Sequence, residues 1–216
     1  SSHRDYACVV VDGRRIDLGR FDLNANENGR TGRAHGMTFS IRSQAAPRNI
    51  GFNRVWNDQI HHITVIIPRS YYSDGRLKIM FQVRVNESDI NNESGGFDNV
   101  KIIAKYSCSS PSPTPHPTPS GCTPTQRRIV TETFESSASA GPWTYGRREH
   151  DAAFSWFLGR YDVTDKNANR HPFREFAGIN RSANQLKIEL DFYEIDSWNN
   201  SRPNGPDCVY VHIDSR

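Results

Sequence analysis

Residues 109–120 read SSPSPTPHPTPS, with Pro111, Pro113, Pro115, Pro117 and Pro119 at every second position. Proline fixes φ and has no amide hydrogen, so such a run fits neither a helix interior nor a sheet ladder and predicts an extended polyproline II spacer. The spacer, residues 109–121, divides the chain into residues 1–108 and 122–216. Both flanks are rich in aromatic and β-branched residues, so the expectation is ordered module, stalk, ordered module. Ser-Pro and Thr-Pro alternation is the compositional mark of O-glycosylated stalks and of hydroxyproline-rich glycoproteins. That makes Ser110, Ser112, Thr114, Thr118 and Ser120, with the five prolines, the expected modified positions and places the protein outside the cell.

With 216 residues, each flank alone offers a thin core. Apolar residues make up only 35%, but 11% aromatics and clear periodic segments argue against disorder. The net charge is +3 and the basic residues are scattered among acids, which disfavours nucleic acid as a partner. No run approaches the roughly 18 apolar residues that a membrane helix needs, and no apolar leader precedes the first periodic segment, so the sequence reads as a mature or excised piece.

The cysteines are Cys8, Cys108, Cys122 and Cys208. Their even number and peripheral placement suit disulfides in an oxidising compartment, and their spacing lacks the pairs of a zinc ribbon. Three pairings are open, and one bridge per flank, 8 with 108 and 122 with 208, is the expected one. Sequons at Asn86, Asn92, Asn180 and Asn199 permit N-glycosylation, although asparagine is common enough here for some to arise by chance.

Alternation identifies the strands. In LKIMFQVRV, Leu77, Ile79, Phe81, Val83 and Val85 share one face while Lys78, Gln82 and Arg84 share the other. Leu186, Ile188, Leu190 and Phe192 repeat the pattern, as do shorter runs at 8–11, 60–67, 100–106 and 208–213. Clusters of Gly, Asn, Asp and Pro separate these runs, and no segment reads as an amphipathic helix. The expected class is all-β, antiparallel sandwich pieces of jelly-roll type joined by the polyproline linker.

Residues 201–216 can be laid over residues 1–16 so that Cys208 meets Cys8 and CVYV meets CVVV. Read as homology, this puts both ends of the chain inside one repeating module. On that reading residues 1–108 carry the C-terminal part of a module and 122–216 the N-terminal part of the next. A competing echo, LGRFD against LGRYD, has a different offset. The segments FLGRYDVTD (157–165), QLKIELDFYEIDSWNN (185–200) and NGPDCVYVHID (204–214) resemble a secreted β-sandwich surface-protein module. Its marks are FLGRF, FYxIDSWDG, GPD and a closing DESWGxDNV, here NNESGGFDNV at 91–100. The closing block lies before the spacer and the opening blocks after it, the order expected of a split module. Two departures stand out: Asn199 replaces a carboxylate of the SWDG motif, and Gly96 stands where the module often has tryptophan.

Asp196, Asp207, Glu93, Asp98 and Asn99 are hard-oxygen groups at turn-rich strand ends and form the candidate Ca²⁺ set. The competing reading, that they cap turns through bonds to backbone amides, gains weight from the lost carboxylate at Asn199. No other cofactor is implied, and glycans enter as covalent modification. The tryptophans Trp56, Trp143, Trp156 and Trp198 offer sugar-stacking faces, though core packing is the commoner use. His61 and His62 alternate along a strand, so their rings cannot share a metal. Glu189 and Asp191 fall on a solvated polar face, and no nucleophile elbow, phosphate loop or zinc-protease motif occurs. The chain is therefore not expected to be an enzyme. The sequence predicts an extracellular structural protein, a unit of a filament or cell-surface appendage that self-associates head to tail by completing split sandwiches; the other form open to the two flanks is to fold back together within one chain as a permuted single sandwich. The rival expectation is a carbohydrate-binding, lectin-like module of a secreted protein.

Overall fold

The computed structural model describes residues 7–11, 14–19, 21–23, 27–44, 47–53, 55–85, 89–107, 125–162, 171–198 and 208–214. Before the spacer lie β1 (Ala7–Val11), β2 (Arg14–Gly19), β3 (Thr31–Ala34), β4 (Met37–Ser43), β5 (Gln59–Pro68), β6 (Arg76–Arg84) and β7 (Glu93–Tyr106). After it lie β8 (Thr125–Glu132), β9 (Arg148–Asp151), β10 (Ser155–Tyr161), β11 (Phe173–Ala177), β12 (Gln185–Asp196) and β13 (Cys208–Asp214). The helical content of the described residues is a 3₁₀ turn, Arg69–Tyr71, and a single α turn, Ser137–Ala140.

These strands form two sheets packed as an all-β sandwich. The smaller runs β11-β6-β13-β1-β2; the larger runs β3-β4-β5-β12-β7-β10-β9, with β8 also paired to β7. Pairings are antiparallel except for β1 with β13, which run parallel with Cys8 opposite Tyr210 and Val11 opposite Ile213. The β3–β4 hairpin turns on His35 and Gly36, whose φ values of 53° and 80° are both left-handed, as a two-residue primed turn requires.

The two flanks of the spacer are interleaved rather than stacked. β12 lies between β5 and β7, and β13 lies between β6 and β1. Three of the four segments that carry the module-like motifs are therefore neighbours: β10 and β12 flank β7, with Leu158 and Phe192 each opposite Phe97, while the fourth holds β13 in the smaller sheet. Hydrophobic alternation explains the placement. Ile63, Val65 and Ile67 on β5, Val100 and Ile102 on β7, and Leu186, Ile188 and Leu190 on β12 point to the smaller sheet and meet Leu77, Ile79 and Phe81 of β6 in one core. Phe81 stacks on Phe97 at 4.7 Å and on Trp143 at 5.1 Å, a contact that joins residues from both flanks. A fully buried side chain of this size contributes about 2–3 kcal/mol relative to its exposed state.

A second, smaller core of Phe154, Phe157, Tyr193 and Ile195 covers part of the outer face of the larger sheet. It buries both faces of β12 at its C-terminal end, so strict alternation stops at Phe192. Gly95 and Gly96 let β7 pass between the two cores. A Cβ at Gly95 would lie 2.9 Å from Phe192 and Val83, and one at Gly96 would lie 2.4 Å from the Phe157 ring. Phe157 thus occupies the space that a tryptophan at 96 would need.

Candidate functional site

The part of the outer face left open by the second core is polar, because the inward residues of β4, β5, β12 and β7 are apolar and their alternates point away. It forms a groove of about 610 Å³ across those four strands. Two cross-strand rows build it. Arg42 lies opposite His62, and His62 opposite Asp191. In the next row Ser40 lies opposite Thr64, Thr64 opposite Glu189, and Glu189 opposite Lys101.

The centre of the groove is organised by hydrogen bonds. Asp191 accepts from His62 Nδ1 on one oxygen and from Asn99 Nδ2, at 2.8 Å, on the other. The Asn99 amide donates to Asp98 Oδ1 at 2.7 Å, and Tyr193 OH donates to Asp98 Oδ2 at 2.9 Å. Asn99 takes a left-handed φ of 51° beside a register shift in β12. Asp98 is buried, and burial pushes its pKa up to about 7 against the stabilising Asn99 amide and Tyr193 hydroxyl. The Tyr193 phenol is raised by its own burial and then by the Asp98 charge. Lys187 donates to Glu189 at 2.5 Å. Arg42 and Lys101, at opposite margins of the groove, have no hydrogen-bond or ion-pair partner among the described residues.

Two further polar clusters lie inside the sandwich. Asp58 accepts from the Ile50 and Gly51 amides with Oδ2 and from the Asp196 amide, at 3.0 Å, with Oδ1. Among the described residues, neither oxygen of the buried Asp196 carboxyl has a partner within hydrogen-bond distance. Burial and then Asp58 push its pKa up to about 7, opposed by Arg160 and the Asn53 amide. Beyond Asp196 the chain is clamped to the start of β7: Ser197 N donates to Asn92 O at 2.8 Å, and Trp198 Nε1 to Ser94 O at 2.6 Å. In the second cluster His61 bridges Ser43 Oγ, 2.9 Å from Nδ1, and Glu194 Oε2, 2.7 Å from Nε2. The connectivity is that of a Ser-His-acid chain, but the ring is fully buried between Phe21 and Phe192, and desolvation lowers its pKa to about 3. It faces the core while the groove is on the other side of the sheet. A ring so hard to protonate is a poor general base.

Of the described candidate calcium ligands, Glu93 and Asp196 are brought together, and Asp98 and Asn99 lie apart from them. The β7–β12 register sets Glu93 opposite Asp196 but Asp98 opposite Asp191, five residues along β12 and about 17 Å away. Asp98 and Asn99 bond to each other and to the groove instead. Among the described residues no group of three or more His, Cys, Asp and Glu is arranged to hold a metal ion. Asp207, Cys108, Cys122, Asn86, Asn199 and the spacer residues lie outside the described residues. Cys8 and Cys208 are placed on β1 and β13, in register with Tyr210 and Arg84, and their pairing is likewise outside the description.

Of the described sequons, Asn180 is exposed and accepts from Ser182 N and Oγ, both at 2.9 Å, whereas Ser94 of the Asn92 sequon is fully buried. Trp143 and Trp198 belong to the core; Trp56 and Trp156 are exposed at 45% and 38%, and neither lines the groove. The groove residues Arg42 and Lys101 do not stand out in the sequence, and His62 does so only as the neighbour of His61. Their one signal is that they occupy the polar alternates of strong strands. No helix of the described residues is long and apolar enough to cross a membrane. Comparisons of the chain with protein families, curated proteins and solved structures find no match.

Proposed function

We propose that this chain is an extracellular structural protein, a repeat or subunit of a filament or cell-surface appendage, that assembles head to tail by sandwich completion. The observation that carries the reading is the position of β12 between β5 and β7: removing residues 125–214 would strip both sheets of internal strands and leave open edges. The same strands donated by a second copy would restore every pairing, and contacts of this heterologous kind propagate when they do not close. The spacer bears on the choice between the two forms. Tyr106 and Thr125 are paired directly, so within one chain the intervening segment must return to its start. Its dozen proline-alternating residues favour an extended rod of about 37 Å. Exchange between copies lets that rod stay straight. The Ser/Thr-Pro composition, the even cysteines and the exposed Asn180 sequon support an extracellular, glycosylated setting.

The experiment is light scattering and electron microscopy of the purified chain over a concentration series, beside a variant whose residues 109–120 are replaced by a flexible Gly-Ser segment of equal length. The expected result is linear oligomers for the native spacer and a shift to monomer for the flexible one. A chain that stays monomeric at every concentration, with either spacer, rules the reading out.

A second reading, a carbohydrate-binding lectin-like module, is favoured by the polar groove on the open sheet face, a common place for glycans on jelly-roll sandwiches.

A further inference from the structure

The groove has a charge arrangement that selects among ligands. Its centre is rich in acceptors: Asp191 and Glu189 carry carboxylates there, with the Ser40 and Thr64 hydroxyls beside them. Its margins are cationic, with Arg42 on β4 and Lys101 on β7 separated by three strand spacings, about 14 Å. Asp191 is held by His62 and Asn99, and Glu189 by Lys187, so both are fixed in place rather than free to swing toward the marginal cations. A bare polyanion would meet two carboxylates in the middle. A neutral apolar ligand would take these groups out of water and give none of them a new partner, which is costly. The ligand that fits offers many hydroxyl donors to the centre and an anionic group to a margin.

We propose that the groove binds an acidic saccharide, with its hydroxyls donating to Asp191 and Glu189 and its carboxylate or sulfate held by Arg42 or Lys101. This rests on the lectin-like reading and narrows it to a ligand class and a set of residues. Arg42 serves better than lysine would for a carboxylate, since its planar donors match two oxygens at once. The exposed tryptophans lie elsewhere, so recognition works through hydrogen bonds and charge rather than ring stacking.

The test is isothermal titration of the full chain with a short oligogalacturonate, the same oligomer as its methyl ester, a sulfated galactan oligosaccharide and inorganic sulfate. The uronate or the sulfated oligomer binds, and the tighter of the two identifies the anion. The methyl ester binds at least about tenfold more weakly than the uronate if the carboxylate is the anion. The Arg42→Ala/Lys101→Ala double variant loses the same factor for the acidic oligomer while its melting temperature is unchanged, because neither side chain has a hydrogen-bond or ion-pair partner among the described residues. Equal binding of charged and neutral oligomers by both proteins overturns the acidic specificity and leaves the lectin-like reading standing. Inorganic sulfate binding as tightly as the oligosaccharides overturns the proposal in favour of a simple anion site. No binding of any saccharide by the folded chain removes the proposal and the lectin-like reading together.

Discussion

His61 Nε2 lies 2.7 Å from Glu194 Oε2 in the centre of the sandwich, with both side chains fully buried. On the other side of the ring, Nδ1 lies 2.9 Å from Ser43 Oγ, so both ring nitrogens of the neutral imidazole have a partner. Desolvation puts the folded-state pKa at about 3, below the ordinary 6.5. Between those values the unfolded chain binds the proton and the folded chain does not. This contribution to stability is complete above pH 6.5 and is lost as pH falls toward 3, with a slope of at most about 1.4 kcal/mol per pH unit. Urea unfolding of the wild type and of His61→Gln across that range should show this slope in the wild type minus variant difference. A flat difference curve would show that the ring titrates normally in the folded chain.

Asp196 has the opposite sign. Its folded pKa of about 7 lies above the ordinary 3.8, so from about pH 4 to 7 the folded state holds the proton more tightly and stability falls as pH rises. Asp196→Asn removes the charge, and its amide can donate to Asp58. The variant should be more stable than the wild type at pH 8, by about 1–3 kcal/mol, and should lose that advantage at pH 4. Thermal melts at the two pH values decide it; an equal effect at both would mean that charge burial is not the cause.

Gly96 and Phe157 compete for one volume. Gly96→Ala should destabilise the fold by about 1–3 kcal/mol through overpacking, since its Cβ would sit 2.4 Å from the ring. Phe157→Ala has its own cavity cost, but adding Gly96→Ala to it should cost little more. A double-mutant cycle by chemical denaturation reads the coupling, and additive effects would rule out the steric account.

The two described sequons should differ in occupancy. In a secretory eukaryotic host, Asn180→Gln should remove one glycan, seen as a mobility shift on endoglycosidase treatment. Asn92→Gln should leave the pattern unchanged, because Asn92 O and Oδ1 accept from Ser197 and Ser94 is buried. A glycan lost from Asn92→Gln would show modification before that clamp forms.

Much of the sandwich is written in the alternation of β5, β6 and β12, where Leu77 to Val83 and Leu186 to Phe192 turn inward as the pattern predicts. The same pattern explains His61 inside and His62 outside. It does not foresee the second core: Tyr193 and Ile195 sit where a half-exposed strand would place polar residues, and only the covering by Phe154 and Phe157 makes them buried. Glu194 and Asp196 keep the inward phase although they are acidic, and no local pattern tells that the Glu194 carboxyl meets His61 and the Asp196 backbone amide meets Asp58, each more than a hundred residues earlier. The spread of the candidate calcium ligands is likewise set by strand geometry. Glu93 and Asp98 share β7, yet strand rise sets them far apart, and only Glu93 meets Asp196.

The parallel β1–β13 pair has a mechanical consequence. Because the two strands run the same way, Ala7 and Asp214 lie at opposite ends of the pair. Tension applied to these two ends acts along the strands and loads their hydrogen bonds together, in shear, rather than peeling them one after another. A body strung through this pair resists pulling as a strut does, with β1 and β13 as its clasp.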